Sequence, residues 1–260
     1  MLRTGAYRKI ALGSLSLYFV VTVGLLYSVT SLWGNPQMAA GYWHLNSPRS
    51  ADAVGHLANR QLSSMGPQVS MLTLNEFSDQ YPAHAYLRLP ALVLSCANKP
   101  ARPHGDAVES LKNSLSRISF APEVGPMLDD LLNAVHDKEC NGVPPGAVKD
   151  MILSVFRNPR YSSNTRYSSW HHQLLAKLAR NSGDTDEAVR QLTLARSIRP
   201  SDDLNLMIVS LLIGDRQFDE ARQFLQEVNN DLSFNPIRRV SGKIKLKELR
   251  QYVDLVENQH

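Results

Sequence analysis

The apolar and polar positions divide the chain into an unbroken apolar run, a middle stretch of broken helical patterns, and a C-terminal stretch with a recurring one. From Ile10 to Trp33 no charged residue interrupts 24 positions (IALGSLSLYFVVTVGLLYSVTSLW). As a helix rising about 1.5 Å per residue, this run crosses the roughly 30 Å hydrocarbon layer of a bilayer with modest tilt. Arg3, Arg8 and Lys9 precede it, and no Lys or Arg follows until Arg49. The positive-inside rule therefore predicts a cytoplasmic N-terminus over 1–9, a transmembrane helix over 10–33 and an exported remainder. Tyr18 and Tyr27 lie within the run, while Trp33, Tyr42 and Trp43 fall at or past its outer end, where amphipathic rings favour the interface. A cleaved signal peptide is the competing reading, but its apolar core is normally only about 7–15 residues long, and no small-x-small site follows directly here.

Residues 34–48 read as a juxtamembrane linker. After it, prolines and glycines cut the chain into helix-length pieces, and no stretch sustains the period-2 alternation of a strand. The exported part is therefore expected to be all-α. Over 49–168 we expect degenerate helical hairpins. The first pairs Ser50 to Ser64 with Gln68 to Gln80 around Met65-Gly66-Pro67, with Ser50, Ala51 and Asp52 as a helix start. Further helices are expected at 84–97, 105–118, 123–137 and 145–157. Two loops are expected, Asn98 to His104 and Arg157 to Ser169, the second rich in Ser, Asn, Tyr and Arg.

The recurring pattern occupies 169–260. In HHQLLAKLARNSGDTDEAVRQLTLARSIRP, Leu174, Leu175 and Leu178 mark one helical face, Gly183 ends that helix, and Asp184 to Glu187 open the next. Ala188 and Ala195, with Leu192 between them, allow close approach of two helices, and Pro200 closes the unit. A second unit follows: LNLMIVSLLIG, then Phe218-Asp219-Glu220-Ala221, Phe224 and Leu225, with Val228 where a small residue is usual. Ala221 lies 33 residues after Ala188. A final helix, about Pro236 to Asn258, carries Ile244, Leu246, Leu249, Val253 and Val256 on one stripe and suits a cap.

Over 170–230 these intervals of Gly, Asp-Glu-Ala, Leu, Ala and Pro resemble the tetratricopeptide repeat, a 34-residue antiparallel helix pair. The resemblance implies an α-solenoid of such hairpins beyond the membrane helix. In that family the first helix of each pair lines a concave groove, which here would present Gln173, Lys177 and Arg180. The segment SLWGNPQMAAGYWHLNSPRSADAVGHL (Ser31 to Leu57) is also similar to the passage after the last membrane span of multi-span glycosyltransferases of the protein O-mannosyltransferase kind that bear C-terminal tetratricopeptide repeats. That implies a setting in envelope glycan or glycoprotein assembly, although the multi-span catalytic portion is absent from this chain.

Composition narrows the function. The 260 residues carry a formal charge of +4, with Lys and Arg interleaved among Asp and Glu, which does not point to nucleic acid. Cys96 and Cys140 lack zinc-site spacings, so no metal is expected. In an oxidising compartment the two could bridge and staple successive hairpins; the alternative is two buried, unpaired thiols. No P-loop, GxGxxG, HExxH or GxSxG pattern occurs, and neither an enzymatic activity nor a cofactor is expected. His171 and His172 are adjacent, so on a helix they diverge by about 100° and read as ordinary surface or packing residues. The pairs Asp129-Asp130 and Asp202-Asp203 read as helix-start or polar-face carboxylates.

Gln173, Lys177 and Arg180, spaced i, i+4, i+7, could hold a carboxylate or acidic peptide, with Arg157, Arg160, Tyr161, Arg166 and Tyr167 extending the surface. A solvated helix face is the plainer reading. Arg238, Arg239, Lys243, Lys245, Lys247 and Arg250 could meet acidic lipid, although a soluble cap with the intervening apolar residues in its core is the simpler reading. The chain is thus expected to be a non-enzymatic scaffold on the exported face of the inner membrane. Its expected partners are envelope or inner-membrane proteins, with lipid contacting 10–33, in assembly of a surface polymer, glycoprotein or pilus. An accessory part of an envelope glycosyltransferase or polymerase, and a structural subunit of a secretion or pilus machine, stand as rivals.

Overall fold

A computed structural model describes residues 3–97, 105–137, 140, 142–233 and 239–257. Among the described residues every regular element is a helix. The chain divides into two compact units, Met1–Phe77 and Ser78–His260.

The first unit opens with α1 (Arg3–Gly34), 32 residues and therefore about 48 Å long. Within it Gly13–Ser31 is long and apolar enough to cross a membrane: its mean hydropathy is 1.5 and none of that window is buried by protein. Three of its hydroxyls are satisfied locally, Thr22 Oγ1 donating to the Tyr18 carbonyl at 2.8 Å, Ser28 to Gly24 at 2.9 Å and Thr30 to Leu26 at 2.8 Å. Such i−4 bonds remove the cost of placing a hydroxyl in hydrocarbon.

The segment 34–48, expected as a linker, folds as α2 (Pro36–Asn46). Asn35 accepts the Met38 N–H, and Pro36 sits in the first turn, where its missing N–H is harmless. α3 (Ala51–Ser64) gives α2 a packing surface, and Trp43 meets His56 across it with ring centroids 5.2 Å apart. Ser50 caps α3 by accepting the Ala53 N–H. α3 ends at Gly66, whose φ of +92° only glycine adopts freely, and α4 (Pro67–Gln80) follows, running just past the end of the first unit.

In the second unit a 3-10 segment, Pro82–Leu87, leads into α5 (Arg88–Ala97). The single helix expected over 84–97 therefore starts as 3-10 turns and becomes α-helical only at Arg88, and its first residue, His84, has a non-helical backbone (φ −109°, ψ 21°). There follow α6 (Gly105–Leu115), α7 (Val124–His136), α8 (Pro145–Arg157), α9 (Pro159–Ser162), α10 (Thr165–Asn181), α11 (Thr185–Ile198), α12 (Asp202–Gly214), α13 (Phe218–Ser233) and α14 (Arg239–Glu257). α6 stops three residues before the expected end, because Asn158 Nδ2 takes the Ile118 carbonyl at 2.9 Å and holds it in the connection to α7. The loop expected over Asn98 to His104 and the start of the last helix at Pro236 lie outside the described residues. So do Arg238 and the side chains of Trp33, Arg239, Lys243, Ile244, Lys245 and Leu246.

The loop expected over Arg157 to Ser169 is instead mostly helical. Asn158 and Asn164 each accept backbone N–H groups and so start α9 and α10, while Pro159 fits the first turn of α9. Between them Tyr161 is buried, its hydroxyl accepting the Ala121 N–H at 2.9 Å and donating toward the Ser119 carbonyl at 3.1 Å. Burial pushes that phenol up to about 12, with the Ala121 bond opposing.

α5 packs on α7, α6 on α8, and α10 on α7, α8 and α11; α11 packs on α12, α12 on α13, and α14 on both α12 and α13. One buried cluster runs from Ala176 through Leu192, Ala195, Ile208, Ala221 and Leu225 to Val253. Cys96 and Cys140 are joined by a disulfide, with Cα atoms 4.4 Å apart, so that the end of α5 is tied to the segment after α7.

A groove between α10 and α12

The turn between α10 and α11 places Gly183 at φ +81°, with the Asp184 N–H returning to the Ala179 carbonyl at 2.9 Å. The same geometry recurs 33 residues on: Arg216 takes φ 60°, and the Gln217 N–H returns to the Leu212 carbonyl at 2.8 Å. Asp184 also caps α11 through the Glu187 N–H, and Ser201 caps α12 through Leu204. Ala188, Leu192, Ala195, Ala221 and Leu225 are all fully buried, so α11 and α13 each present a face of small and branched residues to their neighbours. This leaves one side of α10 and one side of α12 bordering a common groove.

That groove has a volume of about 820 Å³. α10 supplies Trp170, Gln173, Leu174, Lys177 and Arg180; α12 supplies Leu206, Met207, Ser210 and Leu211; Asp129 of α7 and Asp215 complete the rim. Leu206 and Met207 remain 49% and 41% exposed there, an apolar surface only partly covered by the described residues of the second unit. Trp170 stands at one end because α7 carries Gly125 beneath it: a Cβ at that position would lie 2.9 Å from the indole.

The sequence-predicted trio Gln173, Lys177 and Arg180 does line one cavity. Its charges are nonetheless already partly matched: Lys177 Nζ donates to Asp129 Oδ1 at 2.6 Å, and Gln173 Nε2 donates to Ser169 Oγ at 3.4 Å. With Asp215 also on the rim, the lining carries two cations and two carboxylates, so it has no net preference for an acidic ligand. Arg157, Arg160 and Arg166 are exposed but do not line the groove, and Tyr161 is interior. The second arginine-rich surface expected next to the trio is therefore not part of this cavity.

Sequence reasoning missed the apolar wall. Its signal was present in LNLMIVSLLIG, which is apolar on more sides than one buried face requires. It also treated Asp129 only as half of an acidic pair, whereas Asp129 reaches across to α10.

A set of polar side chains on α10 and α11 runs from buried His171 and Gln191 out to exposed Arg190. His171 is stacked on Phe156 with ring centroids 3.9 Å apart, and burial, aided by His172, pushes its imidazole down to about 4. His172 Nδ1 donates to Gln191 Oε1 at 2.7 Å, Gln191 Nε2 donates to Glu187 Oε1 at 2.8 Å, and Arg190 grips Glu187 through two bonds of 2.6 Å. The His172–Gln191 bond joins α10 to α11, the other bonds lie within α11, and the ring stack joins α10 to α8. The described residues contain no group of three or more His, Cys, Asp or Glu arranged to hold a metal ion. No protein-family model matches the chain, and no curated protein matches it.

Proposed function

We propose that the chain is a membrane-anchored interaction protein, whose α10–α13 region forms tetratricopeptide-like hairpins that receive an amphipathic segment of another envelope protein. The anchor is α1, N-terminus inside, with the helical units on the exported side. The observation that carries this reading is the groove itself. It is of a size for several side chains, is walled on one side by exposed Leu206 and Met207, and is edged on the other by Gln173, Lys177 and Arg180. The recurrence of turn geometry and buried alanines at a 33-residue interval supports the hairpin reading. A balanced rim suits a segment with apolar residues inward and mixed charges outward, rather than a wholly acidic one. Restricting the domain to the membrane surface raises its effective concentration near other envelope proteins.

The test is site-specific photo-crosslinking of the full-length chain in cells. A photoreactive residue at Leu206 is expected to give one dominant adduct with an envelope protein, identified by mass spectrometry. That adduct should be lost in Met207→Glu and absent when the same residue stands at exposed Gln226. The same adduct from Gln226, or none from Leu206, would reject the groove as the receiving site.

A further inference from the structure

Helix α2 carries a surface that the described residues of the first unit leave uncovered. Met38, Tyr42 and Leu45, at i, i+4 and i+7, are 61%, 57% and 78% exposed and fall within an arc of about 60° on the helix. The opposite side is occupied: Ala40 is buried, and Trp43 packs toward His56 of α3. Three exposed large apolar side chains on an 11-residue helix need a covering.

We infer that α2 lies in the lipid headgroup boundary of the outer leaflet, seated by Met38, Tyr42 and Leu45. This rests on the reading of α1 as the membrane anchor. Three observations select lipid over protein. First, only Asn35 separates α1 from α2, so this face begins with Met38, four residues past the end of the anchor helix. Second, Asn35 between them has φ −118° and ψ 92°, which breaks the helix, so α2 does not prolong the axis of α1. Third, no Asp, Glu, Lys or Arg occurs from Ile10 to Pro48, and the first charge, Arg49, follows the end of α2.

An interfacial helix normally keeps a charged face toward water. α2 has α3 on that side instead, so it needs none, and α3 itself carries exposed Asp52 and Arg60. Tyr42 suits the boundary for its own reason, an apolar ring with a hydroxyl that stays hydrated. Held this way, α2 would fix the depth of α1 and the position of α3 relative to the bilayer surface.

The experiment uses the full-length protein in phosphatidylcholine–phosphatidylglycerol vesicles. The native cysteines are engaged with each other, so single cysteines can be introduced by Leu45→Cys, Met38→Cys, Val20→Cys and Gln226→Cys and labelled with an environment-sensitive fluorophore under non-reducing conditions. Nitroxide-bearing lipids then report depth. Labels at Leu45 and Met38 are expected to be quenched at least twofold more than the Gln226 label, and more by a shallow nitroxide than by a deep one. The Val20 label should be quenched most by the deep nitroxide.

Quenching at Leu45 and Met38 no greater than at Gln226, with Val20 quenched, would overturn the inference and leave the anchor intact. Blue-shifted but unquenched labels at Leu45 and Met38 would overturn it in favour of a protein covering. An unquenched Val20 label would remove the anchor reading, and the inference with it.

Discussion

Acidification from pH 7.5 to pH 5 is expected to cost the second unit about 2 kcal/mol through His171 alone. The side chain is buried against Phe156, and its folded-state imidazole sits at about 4 against 6.5 for the free group. The unfolded chain therefore binds a proton that the folded chain refuses throughout the interval between those values. Stability is complete above pH 6.5, falls as pH drops below it, and stops falling near pH 4. The full interval at about 1.4 kcal/mol per pH unit corresponds to about 3 kcal/mol, of which about 2 is lost by pH 5. With a urea slope of about 2 kcal/mol per molar, the midpoint should move by about 1 M. The assay is urea unfolding followed by circular dichroism at several pH values, on the full chain in detergent, for the native protein and for His171→Phe. Other groups also titrate, so the informative quantity is the difference between the two proteins. Whatever constant offset the substitution adds, that difference should drift by about 2 kcal/mol between pH 7.5 and 5. A pH-independent difference would refute the reasoning.

Cys96 and Cys140 close a loop 44 positions long, and the loop-entropy account assigns the bridge about 4 kcal/mol; Cys96→Ser with Cys140→Ser should lower the urea midpoint accordingly, as should reductant on the native chain. Arg216 holds a left-handed backbone that costs a non-glycine residue about 1 kcal/mol, so Arg216→Gly should raise stability by about that amount and Gly183→Ala should lower it similarly, both read by thermal unfolding. Tyr161→Phe removes the acceptor of the buried Ala121 N–H and should cost about 1–3 kcal/mol, while a loss below about 0.5 kcal/mol would mean that this N–H finds another partner.

The helices were legible wherever apolar spacing and a cap agreed. Ser50 and Gly66 bound α3, and Asp184 opens α11 after Gly183, because one side-chain oxygen or one positive φ decides those boundaries locally. The same residue types misled over 157–169: Asn158, Asn164, Ser162 and Ser163 look like a loop in composition, yet the two asparagines are caps and Tyr161 is interior. Propensity cannot separate those cases, since the deciding partner is Ala121, 40 residues away. The groove was half legible. Spacing gave the trio on α10, but the partner of Lys177 lies 48 residues earlier on α7, a pairing that no local period encodes. The wall supplied by Leu206 and Met207 shows only as more apolar residues than α12 can bury.

The covalent ring closed by Cys96 and Cys140 bears on how the chain would respond to proteases. It encloses α6 and α7, whereas α10 and α12, the two walls of the groove, follow it in sequence. A single peptide cleavage at any bond inside the ring would release nothing: the nicked molecule would keep its full mass, and the C-terminal portion would stay tethered to α1. Reduction under denaturing conditions after such a nick would separate the two portions.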